Sequence, residues 1–195
     1  MRGTVKAPLE FETSRLILAT PKAADAEAVF ERYAGDPEVT LYLGWPRHQS
    51  VAASREFLAF SAAEWERWPA GPYLIHSRSD GRLLGSTGLA FERSDEAMTG
   101  YVLAKDAWGN GYATEALQAL VDVSRRLGLA RLYGLCHSQH RASQRVLEKC
   151  SFARPELEQA SRVPESGSGR AARRRLLRAR ARGKWEPRRL TTDSG

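Results

Sequence analysis

Apolar and polar positions along this chain change period several times, and each change marks an element. Residues 15–20, "RLILAT", form a short β-rich run. Thr20 and Pro21 follow as a cap and a first-turn proline. Ala26, Val29, Phe30 and Tyr33 then recur at helical spacing until Gly35 and Pro37 stop them. Residues 41–50 are irregular and rich in aromatics. A second helix is predicted over 51–68, with Phe57, Phe60, Ala63 or Glu64, and Trp65 on its apolar stripe. Strand patterns occupy 73–77, 82–92 and 98–104, separated by the hairpin-like "RSDG" and "RSDEA". Gly85 and Gly88 inside one strand predict a bulge or a close backbone approach. A strong helical pattern runs from Gly111 to Leu127 and ends at Gly128. A strand over 129–137 and a short helix over 141–150 follow, the latter with Ala142, Val146, Leu147 and Cys150 inward.

The predicted order is β-α-α-β-β-β-α-β-α. Three consecutive strands make an antiparallel meander, and the later strand–helix–strand unit makes a parallel crossover. The expected class is α/β (α+β): a mixed, mostly antiparallel sheet flanked by helices.

The most informative stretch is "AKDAWGNGYATEALQALV" at 104–121. A helix start exposes unpaired N–H groups and the positive end of the helix dipole. Glycines just ahead of it let a ligand come close to the backbone, which suits phosphate. The donors here are the N–H groups of about Gly109 to Thr114. No Lys-Ser/Thr pair follows, so this is not a Walker loop, and the spacing is not GxGxxG. Taken alone, the turn is equally read as a tight helix start.

Composition changes this picture in one respect. The chain has 195 residues, 42% apolar and 27% charged, as expected for one globular domain. No run is long enough for a membrane span, and the N-terminus lacks a signal-peptide core, so a cytoplasmic protein without a membrane partner is expected. Cys136 and Cys150 form no metal-binding or disulfide pattern and read as buried thiols. The net charge of +7 is local. From Ala153 onward there are twelve Lys/Arg against five Asp/Glu, so the first 152 residues balance. Nucleic acid is therefore a partner only through that basic tail.

In the order and spacing of its motifs the chain resembles the GNAT acetyltransferase superfamily. It is most similar to the branch that includes ribosomal-protein N-terminal acetyltransferases. "GYVLAKDAWGNGYATEAL" (100–117) resembles the strand, loop and helix of that branch for coenzyme A. "HRASQRVLEKCSF" (140–152) resembles its second landmark, and "RLIL" and "LLGSTGL" also match. The family's Arg/Gln-x-x-Gly-x-Gly/Ala loop maps onto Trp108 to Ala113, with Trp108 in place of Arg/Gln.

The resemblance implies an N-acetyltransferase with acetyl-CoA as cosubstrate. It implies that the amides of Gly109, Gly111, Tyr112, Ala113 and Thr114, with Asn110 lining the loop, hold the pyrophosphate. The backbone of Tyr101, Val102 and Leu103 would pair with pantetheine, and a Leu103 N–H would polarise the thioester carbonyl. The amine acceptor is a protein N-terminus or a small molecule, attacking directly, so no covalent intermediate is needed. No metal is expected, and a homodimer is one option for the assembly.

Catalytic assignments stay open between two readings each. Glu96 is either a base acting through a water or a solvated hairpin charge. Ser143 is either a proton donor to the leaving thiolate or a simple helix hydrogen bond. His140, where many relatives carry Asn, either touches pantetheine and relays a proton or caps its helix. Glu115 reads as structural. Trp45 and Arg47, with His48, either shape the acceptor site or anchor their loop.

The family normally ends with two antiparallel strands, yet here its landmark glycine is Ser151 and residues 153–195 show almost no strand pattern. We divide the chain at 1–152 and 153–195. The tail reads as a basic helix or disordered arm, or as a segment translated out of frame. A one-base shift of codons for "RVPESG" can spell Glu-Phe-Pro-Asn-Leu-Ala, a stretch similar to the branch's final hairpin. Two rivals to the enzyme reading remain: an RNA- or ribosome-binding protein acting through the tail, and a CoA-binding module without turnover.

Overall fold

The computed structural model describes residues 5–153, 156–157 and 176–181. Its sheet has the order β1-β2-β3-β4-β5-β6-β8-β7. The strands are β1 (Glu10–Glu12), β2 (Leu16–Ala19), β3 (Pro72–Ser77), β4 (Leu83–Arg93), β5 (Glu96–Leu103), β6 (Arg131–His137), β7 (Glu156–Leu157) and β8 (Leu176–Arg180). Among the described residues only β5 and β6 pair in parallel, across the helix that joins them; the other pairings are antiparallel. The helices are α1 (Ala26–Val29), α2 (Val51–Arg67), α3 (Tyr112–Arg126) and α4 (Arg141–Lys149). The mixed, mostly antiparallel sheet flanked by helices matches the predicted class. Among the described residues no helix is long and apolar enough to cross a membrane.

Strand alternation assigns the two layers. Tyr73, Ile75, Leu84 and Leu103 point into a core shared with α3 and α4, while Leu74, Leu83 and Val102 point into one shared with α1 and α2. The α3 stripe of Ala116, Leu117, Leu120, Val121 and Val123 is buried throughout. The close approach predicted at the strand glycines is present at both. A Cβ on Gly85 would lie 2.0 Å from the Val102 carbonyl oxygen, and one on Gly88 2.7 Å from Pro72 Cα. The register also shifts between Ile75 and His76, opposite Gly85.

Several expectations need correction. Thr20 does not cap the first helix. The chain enters through a 3-10 turn at Ala23–Asp25, where the Lys22 N–H donates to Asp25 Oδ2 at 2.7 Å. The helix leaves through a π-turn over Phe30–Ala34 that Gly35 closes by donating to the Phe30 carbonyl at 2.9 Å. On α2 the stripe is displaced by one position. Ser54, Leu58 and Ser61 are buried and Phe60 is 55% exposed, because small hydroxyl residues let the helix lie close to the sheet. The Ser61 hydroxyl satisfies itself on the Phe57 carbonyl at 2.9 Å. The three-residue β1 carried no pattern of its own and exists through its pairing with β2.

The tail also differs where it is described. Leu176–Arg180, within the predicted basic helix or arm, is strand β8, antiparallel to β6 from Tyr133↔Arg180 to His137↔Leu176. Phe152 and Ala181 add a bridge beside it. The existing reading frame thus places a strand on the free edge of β6. The rest of the basic run, and the residues of the frame-shift reading, lie outside the described residues.

Candidate active site

Strands β5 and β6 run in register only from Glu96↔Arg131 to Thr99↔Gly134. Beyond that pair they part. The Ala104 N–H donates to Leu84 at 2.8 Å, which fixes the alternation along β5. The polar backbone groups of Gly100, Val102 and Ala104 therefore face β4, and those of Tyr101 and Leu103 face the gap. One of these is taken: the Leu103 carbonyl accepts from the Trp108 indole at 2.9 Å. A cavity of about 540 Å³ fills the gap, bounded by β5, the start of α3, α4 and residues 38–43.

The start of α3 closes one end of that cavity. Gly109 and Gly111 hold φ of 78° and 80°, left-handed values that favour glycine, and Gly111 is the N-cap. The first helical bond is from Glu115 N–H to the Gly111 carbonyl at 3.1 Å. The N–H groups of Tyr112, Ala113 and Thr114 have no helical acceptor, and all three residues line the cavity. Glu115 is structural, as read from the sequence. It accepts from Thr13 Oγ1 (2.6 Å), Ser14 Oγ (3.0 Å), Arg15 N (2.9 Å) and Arg15 Nε (2.7 Å). Burial pushes its carboxyl pKa up, and these donors outweigh it, so the net shift is downward. Arg15 in turn donates to the Asn110 carbonyl at 2.9 Å and lies over the Tyr112 ring.

Helix α4 supplies the opposite wall. Tyr101 donates its hydroxyl to Ser143 Oγ at 3.1 Å. Burial pushes the Tyr101 phenol up to about 12, against the lowering by Ser143, so it stays protonated at neutral pH. His140 stands at the N-cap position of α4 without a side-chain hydrogen bond to the helix, and stacks on Tyr42 with ring centroids 4.7 Å apart; Tyr42 also meets His137 at 5.1 Å. Burial, then the neighbouring His137, lowers the His140 pKa, favouring the neutral imidazole. Cys136 and Cys150 are buried thiols pushed up to about 11 by burial, without nucleophilic character at neutral pH.

Thus Tyr101, Val102, Leu103, Trp108, Gly109, Gly111, Tyr112, Ala113, Thr114, His140 and Ser143 all border one cavity. Four sequence assignments fall elsewhere. Asn110 does not line it; its amide turns back onto the Ala107 and Trp108 carbonyls at 3.3 and 3.0 Å and holds the loop shut. Glu96 sits at the far end of β5, buried, paired with Arg93 and with Arg131 at 3.8 Å. It is neither a solvated hairpin charge nor a wall of the cavity, because two guanidinium groups compensate its burial there. Trp45 packs beside His48 at 5.2 Å, and Arg47 donates to the Gly35 carbonyl at 3.3 Å, so both anchor their loop. The wall over 38–43, Tyr42 above all, was missed. Its only sequence signal is an aromatic in a segment without period. Ala142, expected inward, borders the cavity instead.

The profile of the acetyltransferase (GNAT) domain family matches residues 15–153. The chain belongs to the GNAT acetyltransferase family. Among its relatives is the uncharacterized N-acetyltransferase YoaA of Bacillus subtilis, 31% identical over 144 residues, covering 72% of this chain and 81% of that one. Another is the uncharacterized N-acetyltransferase p20 of Bacillus licheniformis, 27% identical over 148 residues, covering 74% and 83%. Among solved structures, a putative ribosomal-protein-serine acetyltransferase of Vibrio cholerae superposes with a TM-score of 0.74 at 21% identity, over 92% of this chain and 100% of that one. RimL, a ribosomal L7/L12 alpha-N-protein acetyltransferase solved with coenzyme A, gives 0.74 at 19%, over 92% and 98%. This GNAT chain is accordingly an N-acetyltransferase by family, with the superfamily's fold.

Proposed function

We propose that this enzyme moves the acetyl group of acetyl-CoA to a primary amine by direct attack. The observation that carries the reading is the meeting of three features in one cavity. These are free first-turn amides on α3, the β5 backbone of Tyr101 and the Leu103 N–H turned to the gap, and the Tyr101–Ser143 hydroxyl pair. Amides behind left-handed glycines suit a diphosphate without a metal ion. A splayed strand edge suits the amides of a pantetheine arm. The ligand supplies an activated thioester; the protein supplies positioning and proton movement.

The Leu103 N–H, turned toward the gap, donates to the oxygen on which charge develops. The amine nitrogen bonds to the acetyl carbon as the carbon–sulfur bond breaks. Ser143 gives its proton to the departing sulfur and is replenished by the protonated Tyr101. Neutral His140, held against Tyr42, takes the proton lost by the amine. The acceptor is a peptide α-amine or a small amine, and RimL, an alpha-N-protein acetyltransferase by its own description, favours the first. The test is release of free CoA thiol on mixing the chain and acetyl-CoA with panels of N-terminal peptides and small amines. Acceptor-dependent release is expected. Binding of acetyl-CoA without release for any amine leaves a module without turnover, and no binding overturns the reading altogether.

A further inference from the structure

Two imidazoles share one ring at the edge of the cavity. Tyr42 lies against His140 with centroids 4.7 Å apart and planes 23° apart, and against His137 with centroids 5.1 Å apart. Each imidazole is about 5 Å from the same phenol, so the two lie within about 10 Å of each other, a Debye length at ordinary salt. One turn of chain holds them both. The His140 N–H donates to the His137 carbonyl at 2.9 Å, and the Gln139 N–H donates to His137 Nδ1 at 3.2 Å. The Gln144 side-chain amide ties α4 to the same turn, donating to the Ser138 carbonyl at 2.7 Å. Tyr42 and His140 border the cavity, while His137 stands behind them. The other titratable and charged groups around His140 come from four elements. Strand β5 contributes the protonated Tyr101, α3 contributes Tyr112, and α4 contributes the exposed cations Arg145 and Lys149. The 38–43 segment contributes Glu38, the one carboxylate of the wall among the described residues, and Lys105 engages it at 2.5 Å. A proton on one imidazole therefore faces no free carboxylate of that wall. A second proton meets the first across part-buried rings, where like charges repel most. Burial, then His137, lowers the His140 pKa, in keeping with that geometry.

We propose that His137 is a positioning residue for the transfer: across the Tyr42 ring it forms with His140 a coupled pair that takes up one proton freely and a second only against repulsion. A charge on His137 then keeps His140 unprotonated, and ready for the proton of the amine, further into the acid range than a lone imidazole would be. The proposal rests on the assignment of His140 as proton acceptor above. It gives His137 a part in the reaction without contact with either substrate.

Proton NMR of the histidine ring signals against pH, on the full chain, tests the coupling without any turnover. The chain has 4 histidines, and the variants His137→Asn and His140→Asn assign the two in question. Asparagine at 137 keeps a side-chain acceptor for the Gln139 N–H, so the turn is retained. In His137→Asn the His140 midpoint should rise by about half a pH unit or more, because a like charge has been removed. In His140→Asn the His137 midpoint should rise by the same amount, since coupling between two sites is reciprocal. A thiol-release assay then reads the reaction. The acid limb of kcat/KM should move up in His137→Asn by the amount the His140 midpoint moved, a change that a merely structural residue would not produce. Midpoints that stay within about 0.1 pH unit of wild type in both variants overturn the coupling. A coupling seen by NMR with the acid limb unmoved overturns the role in the reaction and removes His140 as the proton acceptor. If wild type releases no thiol with any amine, the acetyl-transfer reading itself has failed, and the role of His137 fails with it whatever the NMR shows.

Discussion

Replacing Glu115 by Ala removes the acceptor that ties the segment before β2 to the first turn of α3. Four donors converge on it at 2.6–3.0 Å, and the Arg15 guanidinium adds an ion pair at 2.7 Å. The carboxylate is 15% exposed and the guanidinium 49%, so the ion pair is partly screened and contributes at the low end of its range. Hydrogen bonds to a charged acceptor contribute about 1.5–3 kcal/mol when buried. Here only the Thr13 contact is part-buried, and the other donors regain water on truncation. The first-turn carboxylate also gains about 0.3–1 kcal/mol from the helix dipole. The sum expected for Glu115→Ala is about 2–3 kcal/mol. For a chain of this size that lowers Tm by roughly 4–12 °C. The pH dependence has a definite sign. The folded carboxyl lies below its ordinary value, so its contribution is complete above that value and is lost as pH falls through the lowered one. Differential scanning calorimetry of wild type and variant from pH 7 to 3 should show the full gap at pH 7 and a narrowing gap below about pH 4. A variant melting within about 1 °C of wild type at pH 7, or a gap unchanged at the acid end, would refute the reasoning.

Two further expectations concern the cavity. Gly109→Ala forces a side chain into a left-handed conformation at a cost of about 1–2 kcal/mol, but its Cβ meets no protein atom within 4 Å. The chain should fold with a modest loss of Tm while its affinity for acetyl-CoA drops about tenfold or more; unchanged affinity by titration would count against the amide cradle. Tyr101→Phe and Ser143→Ala should each lower kcat by about a hundredfold with little change in KM for acetyl-CoA. Their double variant should be no slower than the worse single, because they act as one relay, and independent, multiplying losses in a thiol-release assay would rule that out.

What the sequence made legible depended on where one force dominated. Helix α3 has long aliphatics at unbroken 3.6 spacing, and its ends at Tyr112 and Arg126 fall within a residue of the predicted ones. The meander was legible because its turns are polar and its strands β-rich. The glycine wall of the cavity was legible because two glycines ahead of a helix mark a left-handed turn, which Gly109 and Gly111 adopt. Helix α2 misled because its close packing uses Ser54 and Ser61 while Phe60 faces out, so composition and burial disagree. Trp45, Arg47 and Glu96 stayed open between a site role and a local one for a different reason. Aromatic and charged residues near a site in the chain can be spent on their own loops, and only partners such as Gly35, Arg93 and Arg131 distinguish that use. Strand β8 was hidden because an arginine-rich sequence carries no strand signal, and the free edge of β6 is what gives it a place.

The geometry of the cavity follows from one further glycine. A Cβ on Gly134 would lie 2.8 Å from Leu147 Cδ2, so the bare backbone at the last paired position of β6 is what lets α4 press against the sheet there. Ser143 is one turn before Leu147 on the same face, which carries it past the end of the pairing and over to β5. There it meets Tyr101, the first residue of β5 whose backbone faces the gap. Helix α4 therefore straddles the two strands, with Leu147 seated on β6 and Ser143 bonded to β5. The strand separation that exposes the Tyr101 and Leu103 backbone and the hydroxyl pair that spans it are one structural event. A side chain at 134 would have to move the end of Leu147 from that seat, so the glycine keeps α4 close to the strand without a rotamer change.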